Sequence, residues 1–158
     1  MDLKVIVAAV ALAVSAGSAQ AQSGCVAPPN INAMVNQIAS GLNATRSNNG
    51  LAVLNYNPQL SQAAMNHGCD MQVNSYFGHH GSNGSDMQDR ARSAGYRACL
   101  IAENLAWGYP DPNQILSGWM SSQKHRENML VNRAADFGVG VVQGSQGPIW
   151  ILLVARAC

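Results

Sequence analysis

Charge is scarce in this 158-residue sequence: nine lysines and arginines face eight aspartates and glutamates, a formal net charge of +1. No stretch is basic enough to form an electrostatic footprint for nucleic acid, and an anionic membrane surface is equally unsupported as a partner. Common signatures of enzyme chemistry are missing too. H-E-x-x-H does not occur, the cysteines lack zinc-ribbon spacing, and no G-x-S-x-G elbow is present. The standard metalloprotease and α/β-hydrolase assignments are thereby removed. Internal repeats, low-complexity tracts and linkers are absent, so residues 22–158 read as one domain, long enough to bury a core and expected to be soluble and monomeric.

One long apolar run exists, from Val5 to Val14, preceded by Lys4 and followed by Ala19-Gln20-Ala21. A basic start, a short apolar core and an A-x-A site describe a secretory signal peptide over residues 1–21, although Asp2 is unusual there. The run is too short for a stable membrane span. Gln22 stands where a lipoprotein signal would carry leucine, which argues against Cys25 as a lipidated first residue. The expected location is secreted or periplasmic. Four cysteines in an exported chain imply two disulfides with three connectivities. The arrangement expected is Cys25–Cys158, tying the ends of the domain together, with Cys69–Cys99.

Asn30 is placed to cap a first helix whose apolar face is Ile31, Met34, Val35, Ile38 and Leu42, ending at Asn48-Asn49-Gly50. Asn57-Pro58 starts a second helix with two apolar stripes, one of which includes His67. His67 reads as a core histidine satisfied by a backbone carbonyl. A Gly- and Asn-rich loop follows over residues 77–84. Ser85-Asp86-Met87-Gln88 matches a capping box, and a third helix runs to Gly95. Leu100 to Gly108 is extended and apolar apart from Glu103 and Asn104. Asp111-Pro112 opens a fourth helix that buries Ile115, Leu116, Trp119 and Met120 and ends near Ser121 and Ser122; a further helical turn is expected just past His125. Phe137, Val139 and Val141 alternate with Gly138 and Gly140, Gly144 to Gly147 turns the chain, and Ile149 to Ala155 is apolar throughout. These two strands form an antiparallel hairpin whose second member is covered on both faces. The fold class expected is mixed α/β (α+β): a three-layer α-β-α sandwich with a central antiparallel sheet.

Glu103 is one of only two glutamates, and it interrupts an apolar run. A carboxylate in such surroundings needs a partner. Lysine and arginine are absent between Cys99 and Ser122, so a histidine from another loop would serve. His79, aimed by Phe77, and His125, bracketed by Trp119 and Met129, are the candidates, whereas His80 reads as surface. Arg126 is expected to bond carbonyls or carboxylates, and Asn128 to act as a capping or turn residue.

Phe77-x-His79, Glu103-Asn104-Leu105-Ala106-x-Gly108 and Trp119-x-x-Ser122-x-x-His125-Arg126-x-Asn128 resemble the motifs of the CAP superfamily, the SCP-like extracellular proteins. Arg92-x-x-Gly95-Tyr96 and Phe137-Gly138-Val139-Gly140 fit as well, in the same order, and the short single-domain bacterial branch is the nearest match. The resemblance implies an α-β-α sandwich with a central cleft lined by two histidines and two acidic residues, sometimes around zinc. Carried over, His79, Glu103 and His125 take three places, and Ser122 stands where the fourth would be acidic. That departure weakens both metal affinity and any transferred peptidase chemistry.

The functions this supports are, in order, a cleft that binds a small ligand, lipid, glycan or divalent metal; an extracellular hydrolase acting on peptide or cell-envelope material through the same cleft; and a structural or stress-related interaction protein. No catalytic residue is assigned. Binding falls to His79, Glu103, Ser122 and His125. No cofactor is required, and His79, His125 and Glu103 are the set that would take Zn or another divalent cation.

Overall fold

The structure, a computed structural model, describes residues 24–158; the signal-peptide expectation lies outside the described residues. Five helices and four strands follow in the order α1 (Ile31–Asn48), β1 (Asn55–Tyr56), α2 (Pro58–Val73), α3 (Met87–Ser93), β2 (Ala98–Trp107), α4 (Pro112–Ser121), α5 (Gln123–Met129), β3 (Asp136–Gly144) and β4 (Gly147–Ala157). The sheet order is β1-β3-β4-β2, so β2 is an edge strand. β3, β4 and β2 are antiparallel, as expected. The unforeseen β1 adds a two-residue parallel ladder, Asn55 beside Asp136 and Tyr56 beside Phe137.

The hairpin explains the three layers. β4 alternates Trp150, Leu152 and Val154 with Ile149, Ile151, Leu153 and Ala155, and every one of these is buried. The first set packs with Ile38 and Leu42 of α1 and Ile115 and Trp119 of α4; the second packs with Leu60 and Ala64 of α2 and Ala91 of α3. Phe137, Val139 and Val141 face the α1/α4 layer, and the bare side of β3 receives the backbone of α2. A Cβ on Gly138 would stand 2.4 Å from the carbonyl carbon of Leu60, and one on Gly140 would stand 2.5 Å from that of Ala64. Side chains there would push the helix off the sheet.

Caps set the helix starts, with two local revisions. Asn57 accepts from the amides of Gln59 and Leu60, and Asp111 accepts from that of Asn113, each followed by proline at the first helical position. Asn30 occupies the cap position of α1 but makes no side-chain cap bond among the described residues. The capping box of α3 uses Asp86 and Asp89, one residue beyond the Ser85–Gln88 pair expected. Arg46, fully buried in the last turn of α1, donates to the carbonyls of Ala52, Met129 and Val131 at 2.8, 2.8 and 3.1 Å. It thereby ties the end of α5 to α1.

The disulfides are Cys25–Cys69 and Cys99–Cys158, which corrects the expected pairing of Cys25 with Cys158 and Cys69 with Cys99. The β2–β4 register decides it. Ala98 lies opposite Ala157 and Leu100 opposite Arg156, and the irregularity between them leaves Cys99 unpaired in the ladder beside the chain end, with its Cα 4.8 Å from that of Cys158. Cys25 lies beside α2, where the carbonyl of Val26 accepts from the amide of Gln143, and its Cα is 5.3 Å from that of Cys69.

Candidate functional site

The site is built around adjacent residues of an edge strand that face opposite layers. Glu103 pairs in register with Leu153 and therefore faces α2 and α3; Asn104 pairs with Leu152 and faces α4 and α5. Glu103 is 3% exposed and Asn104 1%.

On the Glu103 side, Oε1 lies 2.8 Å from Nδ1 of His79 and Oε2 accepts from Nη2 of Arg90 at 2.7 Å. Nη1 of Arg90 also donates to the carbonyls of His79 and Ser85, at 3.0 and 2.9 Å. One guanidinium therefore fixes both the acid and the loop that carries the histidine. Nε2 of His67 donates to the carbonyl of Gly78 at 2.9 Å and stands 3.9 Å from Oε1 of Glu103. The reading of His67 as a core histidine on a backbone carbonyl holds, with the addition that it borders the carboxylate. Asp70 anchors the same loop, accepting from the amide and hydroxyl of Ser82 at 2.8 and 2.5 Å, from Asn74 at 2.8 Å and from the phenol of Tyr76. Burial works to raise the Asp70 pKa, but those hydrogen bonds outweigh it and hold it below the usual carboxylate value.

On the other side, Nδ2 of Asn104 donates to the carbonyl of His125 at 2.9 Å. Nδ2 of Asn128 donates to the carbonyl of Glu103 at 3.1 Å and to Oδ1 of Asn104 at 2.9 Å. Asn128 thus latches α5 to β2 instead of serving as a turn residue. Arg126 bonds the carbonyl of Met120 at 3.1 Å, in keeping with the structural role expected. His125 lies inside α5, not ahead of it, because Ser122 ends α4 and begins α5 with one extended residue. Nε1 of Trp119 donates to the carbonyl of Leu105 at 3.0 Å and fixes α4 over the strand.

His125 and Ser122 line a groove of about 570 Å³ together with Leu105, Ile115, Trp119, Trp107 and Tyr109. Glu103 and His79 are not among its lining residues. The fold therefore joins Glu103 to His79 directly and presents His125 from the neighbouring layer, with no carboxylate paired to its ring among the described residues. The imidazoles are electrostatically distinct. The hydrogen bond to Glu103 raises the His79 pKa above the ordinary histidine value, with burial opposing. Burial, and then the neighbouring His79, lowers that of His125. Burial likewise lowers that of His67, against the pull of Glu103. His80 is exposed.

This arrangement does not fit a resident metal. Among the described residues no group of three or more His, Cys, Asp or Glu side chains stands in metal-holding arrangement. Glu103 is held by Arg90 and His79, leaving Nε2 of His79 and the ring of His125, short of the three protein ligands of a catalytic zinc site.

Arg90 and His67 complete the cluster around Glu103 and were not among its expected partners. A signal for Arg90 was present: an imidazole is mostly neutral at pH 7, so a buried carboxylate calls for a permanent cation.

Comparison with known proteins gives a consistent picture. A profile described as the Cysteine-rich secretory protein family, CAP, matches residues 40–154. The uncharacterised protein YkwD of Bacillus subtilis is 32% identical over 124 residues, 78% of this chain and 48% of that protein. The uncharacterised membrane protein YlbC of the same organism is 31% identical over 105 residues, 66% of this chain and 30% of that protein. The chain thus spans about half or less of these curated relatives. Among solved structures, an extracellular SCP-domain protein from Bacillus anthracis superposes with a TM-score of 0.72 at 29% identity, covering 79% of this chain and 41% of that one. An outer surface protein of Borrelia burgdorferi shares the fold, with a TM-score of 0.75 at 18% identity over 85% of this chain and 99% of that one.

Proposed function

We propose, from the premise that this chain belongs to the CAP, or cysteine-rich secretory protein, family, that it is an exported binding protein for a small amphipathic ligand carrying an acidic head group. Export rests on the leader-like residues 1–21 and on the two disulfides, which persist in oxidising compartments. Among the described residues no helix is long and apolar enough to cross a membrane.

The observation that carries the reading is the apolar groove lined by His125. Its aromatic and aliphatic walls suit an apolar tail. The His125 ring suits an anionic head, and the half-exposed ring of His79, outside the groove lining but electrostatically coupled to His125 and kept protonated to higher pH by Glu103, adds positive potential beside it. Sodium laurate, with dodecanol as its uncharged counterpart, is the probe. Titration calorimetry is expected to show saturable laurate binding that weakens as pH rises through the His79 pKa, with affinity lost in His125→Ala. If wild type binds neither compound, or if His125→Ala binds laurate unchanged, the reading is wrong.

Hydrolysis ranks second. Its favouring observation is that the Ser122 hydroxyl makes no cap bond and shares the groove with His125. A serine nucleophile needs an oriented base, and no carboxylate among the described residues pairs with the His125 ring. Purified Ser122→Ala that hydrolyses a p-nitrophenyl ester at the wild-type rate would remove this reading.

A further inference from the structure

A second cavity, of about 460 Å³, lies between the end of α2 and the β3–β4 turn, separated from the histidine groove by Trp107, which lines both. Its chemistry is unlike that of the groove. None of its lining side chains carries a charge at neutral pH; the single ionisable one, Tyr76, gives its hydroxyl proton to a hydrogen bond with Asp70. Phe77 and Trp107 stack at its edge with ring centroids 6.0 Å apart and planes 29° from parallel. They remain 45% and 42% exposed, a large apolar area to leave in water at adjoining positions.

Beside them are polar groups from two elements: Gln72 at the end of α2, and Ser145 and Gln146 on the turn. Oε1 of Gln72 is buried and accepts no hydrogen bond among the described residues. A buried acceptor without a partner is a standing cost that a donor from a ligand would relieve. Aromatic faces next to uncharged amide and hydroxyl groups, with an unsatisfied acceptor on a lining residue, match a ring with apolar C–H faces and hydroxyl or acetamido donors at its rim. An anionic or cationic ligand would find no counter-charge here. A fully apolar one would leave Gln72 unsatisfied.

We infer that this cavity is a binding site for a neutral saccharide, with a sugar ring against Trp107 and Phe77 and a hydroxyl or amide N–H donating to Oε1 of Gln72 once that flexible side chain turns into the cavity. The two sites share Trp107, but this proposal does not rest on the laurate reading and stands whether or not that reading survives.

The intrinsic fluorescence reports on it directly. The chain has three tryptophans; Trp119 and Trp150 are 2% and 0% exposed, whereas Trp107 is 42% exposed. Titrating the full domain with N-acetylchitotetraose, and separately with maltotetraose, is expected to give a saturable blue shift and protection from acrylamide quenching with at least one of them. Raising the salt concentration should leave the affinity unchanged. Gln72→Leu, which keeps the bulk and removes the acceptor, is expected to weaken binding about tenfold. Trp107→Leu, read by calorimetry, should do the same or more, and His125→Ala should bind the saccharide like wild type. Circular dichroism and thermal melts establish that each variant is folded, and Gln146→Ala on the exposed turn supplies a variant that does not touch the core. The inference fails if neither saccharide shifts the wild-type fluorescence or releases heat. It fails equally if folded Gln72→Leu and Trp107→Leu both bind like wild type, or if binding is confined to charged saccharides and disappears with salt.

Discussion

Nη2 of Arg90 donates to Oε2 of Glu103 across 2.7 Å, with the two side chains only 9% and 0% exposed. Removing one member strands the other in the interior. Arg90→Met is expected to destabilise the fold by about 3–5 kcal/mol, whereas the double variant Arg90→Met/Glu103→Gln should recover a large part of that loss. Urea denaturation of the single and double variants measures the coupling. Strictly additive losses would contradict the pairing.

The imidazoles of His67, His79 and His125 should titrate apart. Proton NMR is expected to place His79 above, and His67 and His125 below, the ordinary value of about 6.5. The consequences for stability have opposite signs. His79 binds its proton more tightly in the folded state, so its contribution is complete below about pH 6.5 and is lost as pH rises through the folded pKa. His67 is held neutral, so its contribution is complete above about pH 6.5 and is lost as pH falls through its folded pKa. Because the neighbouring His79 helps depress His125, His79→Ala should move the His125 titration upward.

The contact between β3 and α2 is the tightest test of the packing. Gly140→Ala places a methyl group 2.5 Å from the carbonyl carbon of Ala64. Overpacking of this kind typically costs about 1–3 kcal/mol, and backbone cannot swing aside as a side chain can. Gly118→Ala, where nothing among the described residues lies within 4 Å of the added Cβ, is the control and should melt near wild type.

Asn128→Ala separates the two halves of the site. It removes the donor to the carbonyl of Glu103 and to Oδ1 of Asn104, leaving two acceptors without this partner. The expected loss is about 1–3 kcal/mol. The His125 resonances should change while the His79 titration keeps its raised pKa, since the contact between His79 and Glu103 is made on the opposite face of β2. A change confined to His79 would invert this assignment.

Periodicity carried the fold a long way. The alternation of Phe137, Val139 and Val141 with glycines announced a strand with one bare face, and Asn57-Pro58 and Asp111-Pro112 announced two helix starts. Glu103 was conspicuous because an acid in an apolar strand demands compensation. What could not be read locally depended on which distant elements meet. The Cys99–Cys158 bridge follows from β2 pairing with the last strand, a non-local choice among three connectivities. Arg90 joins the site because α3 docks against the Glu103 side of β2, and seven residues of helix do not announce their docking face. β1 is too short to show any period. The separation of Glu103 from the His125 groove follows from the pleat of an edge strand, which becomes visible once the edge is known.

The two disulfides follow one another along the chain without nesting: one closes residues 25–69 and the other residues 99–158. Residues 70–98, which include His79 and Arg90, are consequently the sole covalent thread joining two separately stapled halves. A single peptide-bond cut at the glycine-rich stretch around Gly81–Gly84 would leave fragments held together by packing alone, so they would part on a denaturing gel even without reductant. The histidine-bearing loop is thus also the place where one proteolytic event could dismantle the molecule.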